Sequence, residues 1–100
     1  MDLTLRDIFS ARARIATIAR RTPLMPSRPL EELVGARVML KLENLQETGS
    51  FKLRGAASKL LSLDPAARRR GVITVSSGNH GRALAYVAHR LGLRAVICLS

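Results

Sequence analysis

The chain has 100 residues and a formal net charge of +10, with 47% hydrophobic and 24% charged residues. This balance is typical of a small globular domain with one core, and it excludes a disordered or low-complexity chain. A single cysteine, Cys98, excludes an internal disulfide, and no His/Cys cluster has metal-ligand spacing, so no metal is predicted.

Two further classes are disfavoured by the same composition. No apolar run approaches the roughly 20 residues of a membrane helix, so we expect no membrane partner. No apolar signal core follows the first residues, which predicts a cytoplasmic location. The basic charge leaves a nucleic-acid-binding module as an alternative. It is disfavoured because the arginines are scattered and the three aromatic residues form no stacking platform.

The first third of the chain predicts a helix followed by an extended connector. An amphipathic helix is expected over about 4–20, with one apolar face made by Leu5, Ile8, Phe9, Ile15, Ala16 and Ala19. Pro23, Pro26 and Pro29 predict an extended connector, and a short helical turn over 30–34 is expected to end at Gly35. Residues 1–36 are predicted to be an N-terminal helix and connector that pack on a larger domain.

The remainder alternates between strand and helix patterns. The predicted elements are strand 37–42, a helix through Leu53 to Leu61, a short helix behind Asp64, strand 72–75, helix 81–91 and strand 94–99. Such alternation predicts an α/β fold with a parallel sheet and flanking helices. Residues 37–100 are therefore predicted to begin an α/β cofactor and substrate domain.

A polar turn introduces the most informative helix. Thr48, Gly49 and Ser50 are turn and cap residues, and Ser50 is expected to cap the helix. Lys52 then falls in the first helical turn, where the positive end of the helix dipole opposes a cation. A neutral amine there can form a Schiff base with an aldehyde. The alternative is a solvated lysine.

A second turn joins the strand over 72–75 to the next helix, through Ser76, Ser77, Gly78, Asn79, His80 and Gly81. Such a junction presents free backbone N–H groups and the positive end of a helix dipole, which favour an anion. The alternative is a Gly/Ser turn that caps its helix.

Residues 42–56, which read LENLQETGSFKLRGA, resemble the lysine motif of the threonine/serine dehydratases. These are pyridoxal-phosphate enzymes of fold type II, the tryptophan synthase β-like fold. The resemblance implies that Lys52 binds pyridoxal 5'-phosphate as a Schiff base and that Phe51 packs against the cofactor. Residues 76–80 resemble the asparagine loop of the same family. This implies that Ser76, Ser77, Gly78, Asn79 and His80 bind the substrate carboxylate, and that Asn79 also contacts the pyridoxal ring.

The resemblance implies a lyase of amino-acid metabolism that converts a β-hydroxy amino acid, such as threonine or serine, to a 2-oxo acid and ammonia. Lys52 and Ser77 are the predicted catalytic residues. Many threonine dehydratases carry alanine in place of Ser77, whereas serine racemases carry serine there and use it as an acid/base. A racemase, or another lyase or synthase of the fold, therefore remains an alternative. Gly81-Arg82-Ala83 is similar to the dehydratase branch of hydroxyectoine utilisation.

Two parts of the family pattern are absent from these 100 residues: the glycine-rich phosphate loop and the residue that faces the pyridine nitrogen. Family members place both well downstream and are several-fold longer. The resemblance therefore implies the N-terminal part of an enzyme that is a homo-oligomer at full length. The 100 residues alone are expected to hold the cofactor poorly.

Overall fold

The computed structural model describes residues 2–99 and contains five helices and four strands over that range. The helices are α1 (Leu5–Ile15), α2 (Arg28–Val34), α3 (Lys52–Leu61), α4 (Pro65–Arg70) and α5 (Asn79–Arg90). The strands are β1 (Leu24–Pro26), β2 (Met39–Lys41), β3 (Val72–Val75) and β4 (Ala95–Cys98), and a 3₁₀ turn covers Glu43–Leu45. Within residues 2–99, no helix is long and apolar enough to cross a bilayer.

Helix α1 begins at a reciprocal cap and ends earlier than the sequence predicts. The Asp7 N–H donates to Thr4 Oγ1 at 3.3 Å, and the Thr4 N–H donates to Asp7 Oδ2 at 2.9 Å. The helix ends at Ile15 and not near residue 20, because the Ala16 N–H turns to the carbonyl of Ala13 and the chain continues as turns.

The predicted apolar face of α1 is buried only at its C-terminal end. Ile15 and the following Ile18 are 8% and 7% exposed. Leu5, Ile8 and Phe9 are 73%, 51% and 61% exposed, so within residues 2–99 the predicted apolar face is covered only near Ile15.

The predicted strand 37–42 is shorter than expected and lies outside the parallel sheet. The part that forms a strand, β2, pairs antiparallel with β1, in a register that sets Leu24 opposite Lys41 and Pro26 opposite Met39. Strand β1 belongs to the segment predicted as an extended connector. Short extended segments form a sheet only when a partner satisfies their backbone hydrogen bonds. Here β1 and β2 supply those hydrogen-bond partners to each other.

The parallel part of the fold is the unit β3–α5–β4. The two strands pair in parallel, from Val72 opposite Ala95 to Val75 opposite Cys98. A helix connects them, as parallel neighbours require. This confirms the predicted α/β class, although the sheet within residues 2–99 has two strands only.

The core lies between α3 and α5. Four residues of α3 and four of α5 are buried in it: Leu53, Ala56, Ala57 and Leu60 of α3, and Ala83, Leu84, Val87 and Ala88 of α5. The sequence predicts an i, i+3, i+4, i+7, i+8 face from Leu53 to Leu61, and the structure buries all of it except Leu61, which is half-buried against the same core. The alanines allow close helix approach, and this packing fixes the two helices whose first residues are Lys52 and Asn79.

Candidate active site

Lys52 is the first residue of α3, as predicted. The chain reaches it through a tight turn in which the Gly49 N–H donates to the Gln46 carbonyl at 2.8 Å. Gly49 has a φ of +74°, in the left-handed region that favours glycine. The Lys52 Nζ lies 4.9 Å from the centroid of the Phe51 ring, within cation–π range. Both side chains are exposed to solvent, and Phe51 is 60% exposed.

Ser50 does not cap α3, which corrects the sequence prediction. The residue before the helix is Phe51, whose φ of −62° and ψ of −16° are already helical, whereas a capping side chain needs an extended residue at that position. The hydroxyls of Ser50 and Thr48 are instead buried, at 8% and 2% exposure, and neither has a hydrogen-bond partner among residues 2–99. Buried polar groups without a partner are rare in folded proteins, which makes these two hydroxyls an unusual feature of the turn.

The second predicted segment, residues 76–81, is a turn held together by the side chain of Ser76. Its Oγ accepts hydrogen bonds from the backbone N–H groups of Gly78 at 3.3 Å and Gly81 at 3.1 Å. A Cβ at Gly81 would lie 2.6 Å from the Ser76 carbonyl oxygen and 3.1 Å from Ile97 Cγ2. Gly81 is therefore required by the turn, whereas a Cβ added at Gly78 would face open space, with no atom within 4 Å.

The rest of this loop is presented to solvent. Ser77, Gly78, Asn79 and His80 are exposed, and Asn79 opens α5. Helix α5 therefore begins two residues before the predicted start at residue 81. The first N–H groups of a helix have no partner within the helix and carry the positive end of its dipole. The loop thus has the chemistry of an anion site, and its substrate-binding roles stay predictions.

The two predicted segments belong to helices that share one core. Lys52 is the first residue of α3 and Asn79 is the first residue of α5, and both are exposed to solvent. A cavity of about 520 Å³ lies elsewhere, beside α1, and none of the seven predicted site residues lines it.

A partly buried polar network around Glu43 was missed by sequence reasoning. Arg54 donates to both carboxylate oxygens of Glu43, from Nε to Oε2 and from Nη2 to Oε1, each at 2.8 Å. Thr22 Oγ1 also donates to Oε1, and Gln46 Nε2 donates to Oε2 at 3.3 Å. The hydrogen bond from Arg54 is the main reason that the pKa of Glu43 falls to about 2, against the opposing effect of burial. The sequence does not predict this ion pair, because its two residues are eleven positions apart and a turn separates them.

The same network holds the segment that precedes β1. Gln46 Nε2 and Arg54 Nη2 donate to the Arg20 carbonyl at 2.9 and 3.1 Å, and the Arg20 N–H donates to Gln46 Oε1 at 2.9 Å. The Lys41 ammonium donates to the Thr22 carbonyl. These contacts tie residues 20–22 to the turn that leads into α3.

Residues 15–100 match the family model described as pyridoxal-phosphate dependent enzyme. The chain belongs to this family. It is 57% identical over 99 residues to a Sinorhizobium fredii protein whose name proposes a threonine dehydratase, covering 99% of this chain and 30% of that protein. It is 45% identical over 96 residues to the serine racemase of Dictyostelium discoideum, covering 96% of this chain and 29% of that one.

A solved structure has the same fold. The crystal structure of a threonine deaminase from T.th. superposes with a TM-score of 0.85 at 47% identity, over 97% of this chain and 30% of that one. The chain thus spans about 30% of the length of these relatives. The predicted family and the predicted fold, the N-terminal part of a fold type II pyridoxal-phosphate enzyme, are confirmed.

Proposed function

We propose that the protein is a pyridoxal-phosphate-dependent dehydratase that converts a small β-hydroxy amino acid, such as threonine or serine, to a 2-oxo acid and ammonia. The observation that carries the proposal is the position of Lys52, which is exposed at the start of α3 inside the segment that matches the family. The relatives named for threonine dehydratase and threonine deaminase support the reaction class.

The residues present fit the cofactor. The Lys52 amine is accessible, and the exposed Phe51 ring beside it offers an apolar face to a planar group. Within residues 2–99 the buried hydroxyls of Thr48 and Ser50, just before the lysine, have no hydrogen-bond partner. When bound, pyridoxal phosphate supplies an electron sink that eases removal of a proton from the substrate Cα.

The chain's own residues then have separate tasks. Lys52 Nζ would hold the cofactor covalently, and as a free amine it would take the Cα proton of the substrate. The Asn79 side-chain amide and the backbone N–H groups of Asn79 and His80 bind and orient the substrate carboxylate. In the net reaction, the Cα proton and the β-hydroxyl leave as water. Hydrolysis of the released product then gives the 2-oxo acid and ammonia.

A racemase is the second candidate, and one observation favours it. Ser77 is exposed at the turn before α5, and a serine racemase is among the relatives at 45% identity. In that case the Ser77 hydroxyl exchanges a proton with the opposite face of the substrate Cα. Comparing 2-oxo acid and D-enantiomer production in the wild type and Ser77→Ala separates the two. Loss of the D-enantiomer alone favours a racemase.

The cofactor site is tested by trapping. The full-length protein is incubated with pyridoxal phosphate, reduced with borohydride and digested, and the pyridoxyl group is located by mass spectrometry. We expect it on Lys52, and we expect Lys52→Ala to abolish both the label and the activity. Lys59→Ala is the matched control, because it removes a lysine from the same helix and keeps Lys52. A label on Lys41 or Lys59, or an active Lys52→Ala protein, refutes the proposal.

Three finer expectations stay predictions: the cytoplasmic location, the homo-oligomer and the division of the chain at about residue 36. The roles of Ser76, Gly78 and His80 in carboxylate binding are likewise part of the proposal.

A further inference from the structure

We propose that the Glu43–Arg54 ion pair is a positioning device for Lys52, which holds the first turn of α3 in the orientation that presents the lysine. The inference rests on the proposed function, because it gives that lysine its role. Neither partner touches the reacting groups in the proposal. Both act through the geometry of the helix start.

The helix start needs such a device because it lacks the usual one. Ser50 makes no capping hydrogen bond to α3, and the first turn of an uncapped helix frays readily. Arg54 lies in that first turn, two residues after Lys52. Its guanidinium makes two parallel hydrogen bonds of 2.8 Å to Glu43, and a bidentate pair fixes orientation as well as distance.

The orientation of α3 follows from three consecutive residues. Successive side chains of a helix point about 100° apart. Leu53 is fully buried in the core against α5. Arg54, whose side chain points about 100° further around the helix, is held by its ion pair with Glu43. Because both side chains are held, α3 cannot rotate about its own axis. Lys52, about 100° to the other side of Leu53, therefore faces solvent and lies over the Phe51 ring.

The Glu43 carboxylate is held by other residues as well, so the ion pair ties Arg54 to a carboxylate that cannot move freely. Glu43 accepts from Thr22 and Gln46 as well as Arg54, and its side chain is only 17% exposed. Arg54 also donates to the Arg20 carbonyl at 3.1 Å. A displacement of Glu43 would have to break several hydrogen bonds at once.

A second ion pair provides the matched control. Arg20 and Glu47 also pair, but their side chains are 63% and 36% exposed. Exposed pairs contribute little to stability. Glu47→Gln therefore removes the same charge as Glu43→Gln, from the same turn region, without touching Arg54.

The test is a spectroscopic signature of Lys52 in the protein before cofactor is added. A lysine held over an aromatic ring has ε-methylene protons shifted by the ring current, and Lys41 and Lys59 allow an internal comparison. We expect the Lys52 signal to differ from that of Lys59 in the wild type. In folded Glu43→Gln and Arg54→Lys proteins it should lose most of that difference, whereas Glu47→Gln should keep it.

Cofactor binding is the second readout. Misplacement of a reacting group by about 1 Å is costly, so we expect Glu43→Gln to weaken pyridoxal phosphate binding by about tenfold or more. If Glu43→Gln does not fold, Glu43→Asp keeps the charge but withdraws the carboxylate, and it should give the same loss of signal. An unchanged Lys52 signal in a folded Glu43 variant overturns the inference, and so does an equal loss in Glu47→Gln.

The two proposals fail in different ways. The ring-current signal does not require the cofactor, so it tests the positioning device even if borohydride trapping finds no label on Lys52. Conversely, a label on Lys52 with unchanged signals in the Glu43 variants supports the proposed function and removes only this inference.

Discussion

Replacing Glu43 with glutamine should change stability by an amount that depends on pH. The pKa of Glu43 is about 2 and not the usual 4.5, chiefly because Arg54 hydrogen bonds to the ionised form. At about 1.4 kcal/mol for each pKa unit, this gap corresponds to an upper bound of about 3.5 kcal/mol. The carboxylate is 17% exposed, so partial screening brings the expected contribution to about 2–3 kcal/mol.

The sign follows from the direction of the pKa change. A carboxyl whose pKa is lower in the folded protein stabilises it fully above the unfolded value, near 4.5, and this stabilisation is lost as the pH falls towards about 2. The excess stability of the wild type over Glu43→Gln should therefore be constant from about pH 7 to about pH 5 and shrink below that range.

The assay is urea unfolding followed by circular dichroism at about pH 7, 5 and 3 for the wild type, Glu43→Gln and Glu47→Gln. The shrinking difference is expected for Glu43→Gln only. A difference that stays the same at all three pH values would refute the reasoning, as would the same narrowing in Glu47→Gln.

Three further substitutions, two of them with a matched control, test the fold through the free energy of unfolding. Leu53→Ala should destabilise by about 2–5 kcal/mol, because it leaves a cavity in a fully buried position, whereas Leu33→Ala at 79% exposure should change stability by less than about 0.5 kcal/mol. Gly81→Ala should cost about 1–3 kcal/mol because its Cβ meets a backbone oxygen, and Gly78→Ala, which meets nothing, should cost little. Thr4→Ala should cost about 1 kcal/mol and reduce helical signal through loss of the cap.

Local patterns predicted the central part of the fold well. The spacing of Leu53, Ala56, Ala57 and Leu60 identified the buried face of α3 because helix geometry alone decides which residues share a face. The cap at Asp64 was likewise readable, since its side chain accepts from a residue only three positions away.

Elements that depend on a distant partner were not predicted. Strand β1 has three residues, and two prolines flank or end it, so only its pairing with β2 makes it a strand. The apolar pattern of α1 was read correctly, but burial requires a partner, and residues 2–99 cover only its C-terminal end. The pattern fixes which face is apolar and not what covers it.

The candidate site divides in the same way. The position of Lys52 at a helix start followed from the turn residues before it, and the structure has it there. The cap by Ser50 was wrong because the helical backbone already begins at Phe51. The Glu43–Arg54 pair bridges eleven residues around a turn, and only the folded chain brings the two charges together.

The geometry of the site is set by two supports that can be separated by mutation. The α3–α5 core fixes both helices, and Lys52 and Asn79 are their first residues, so a substitution in that core should displace both halves of the site together. The Glu43–Arg54 pair contacts α3 and the segment before β1 but makes no hydrogen bond to α5 within residues 2–99. Its loss should therefore alter attachment at Lys52 while the loop at Asn79 keeps its shape. Weaker cofactor binding with an unchanged loop at Asn79 is therefore the result expected from a Glu43 or Arg54 substitution, whereas a substitution in the α3–α5 core should change both.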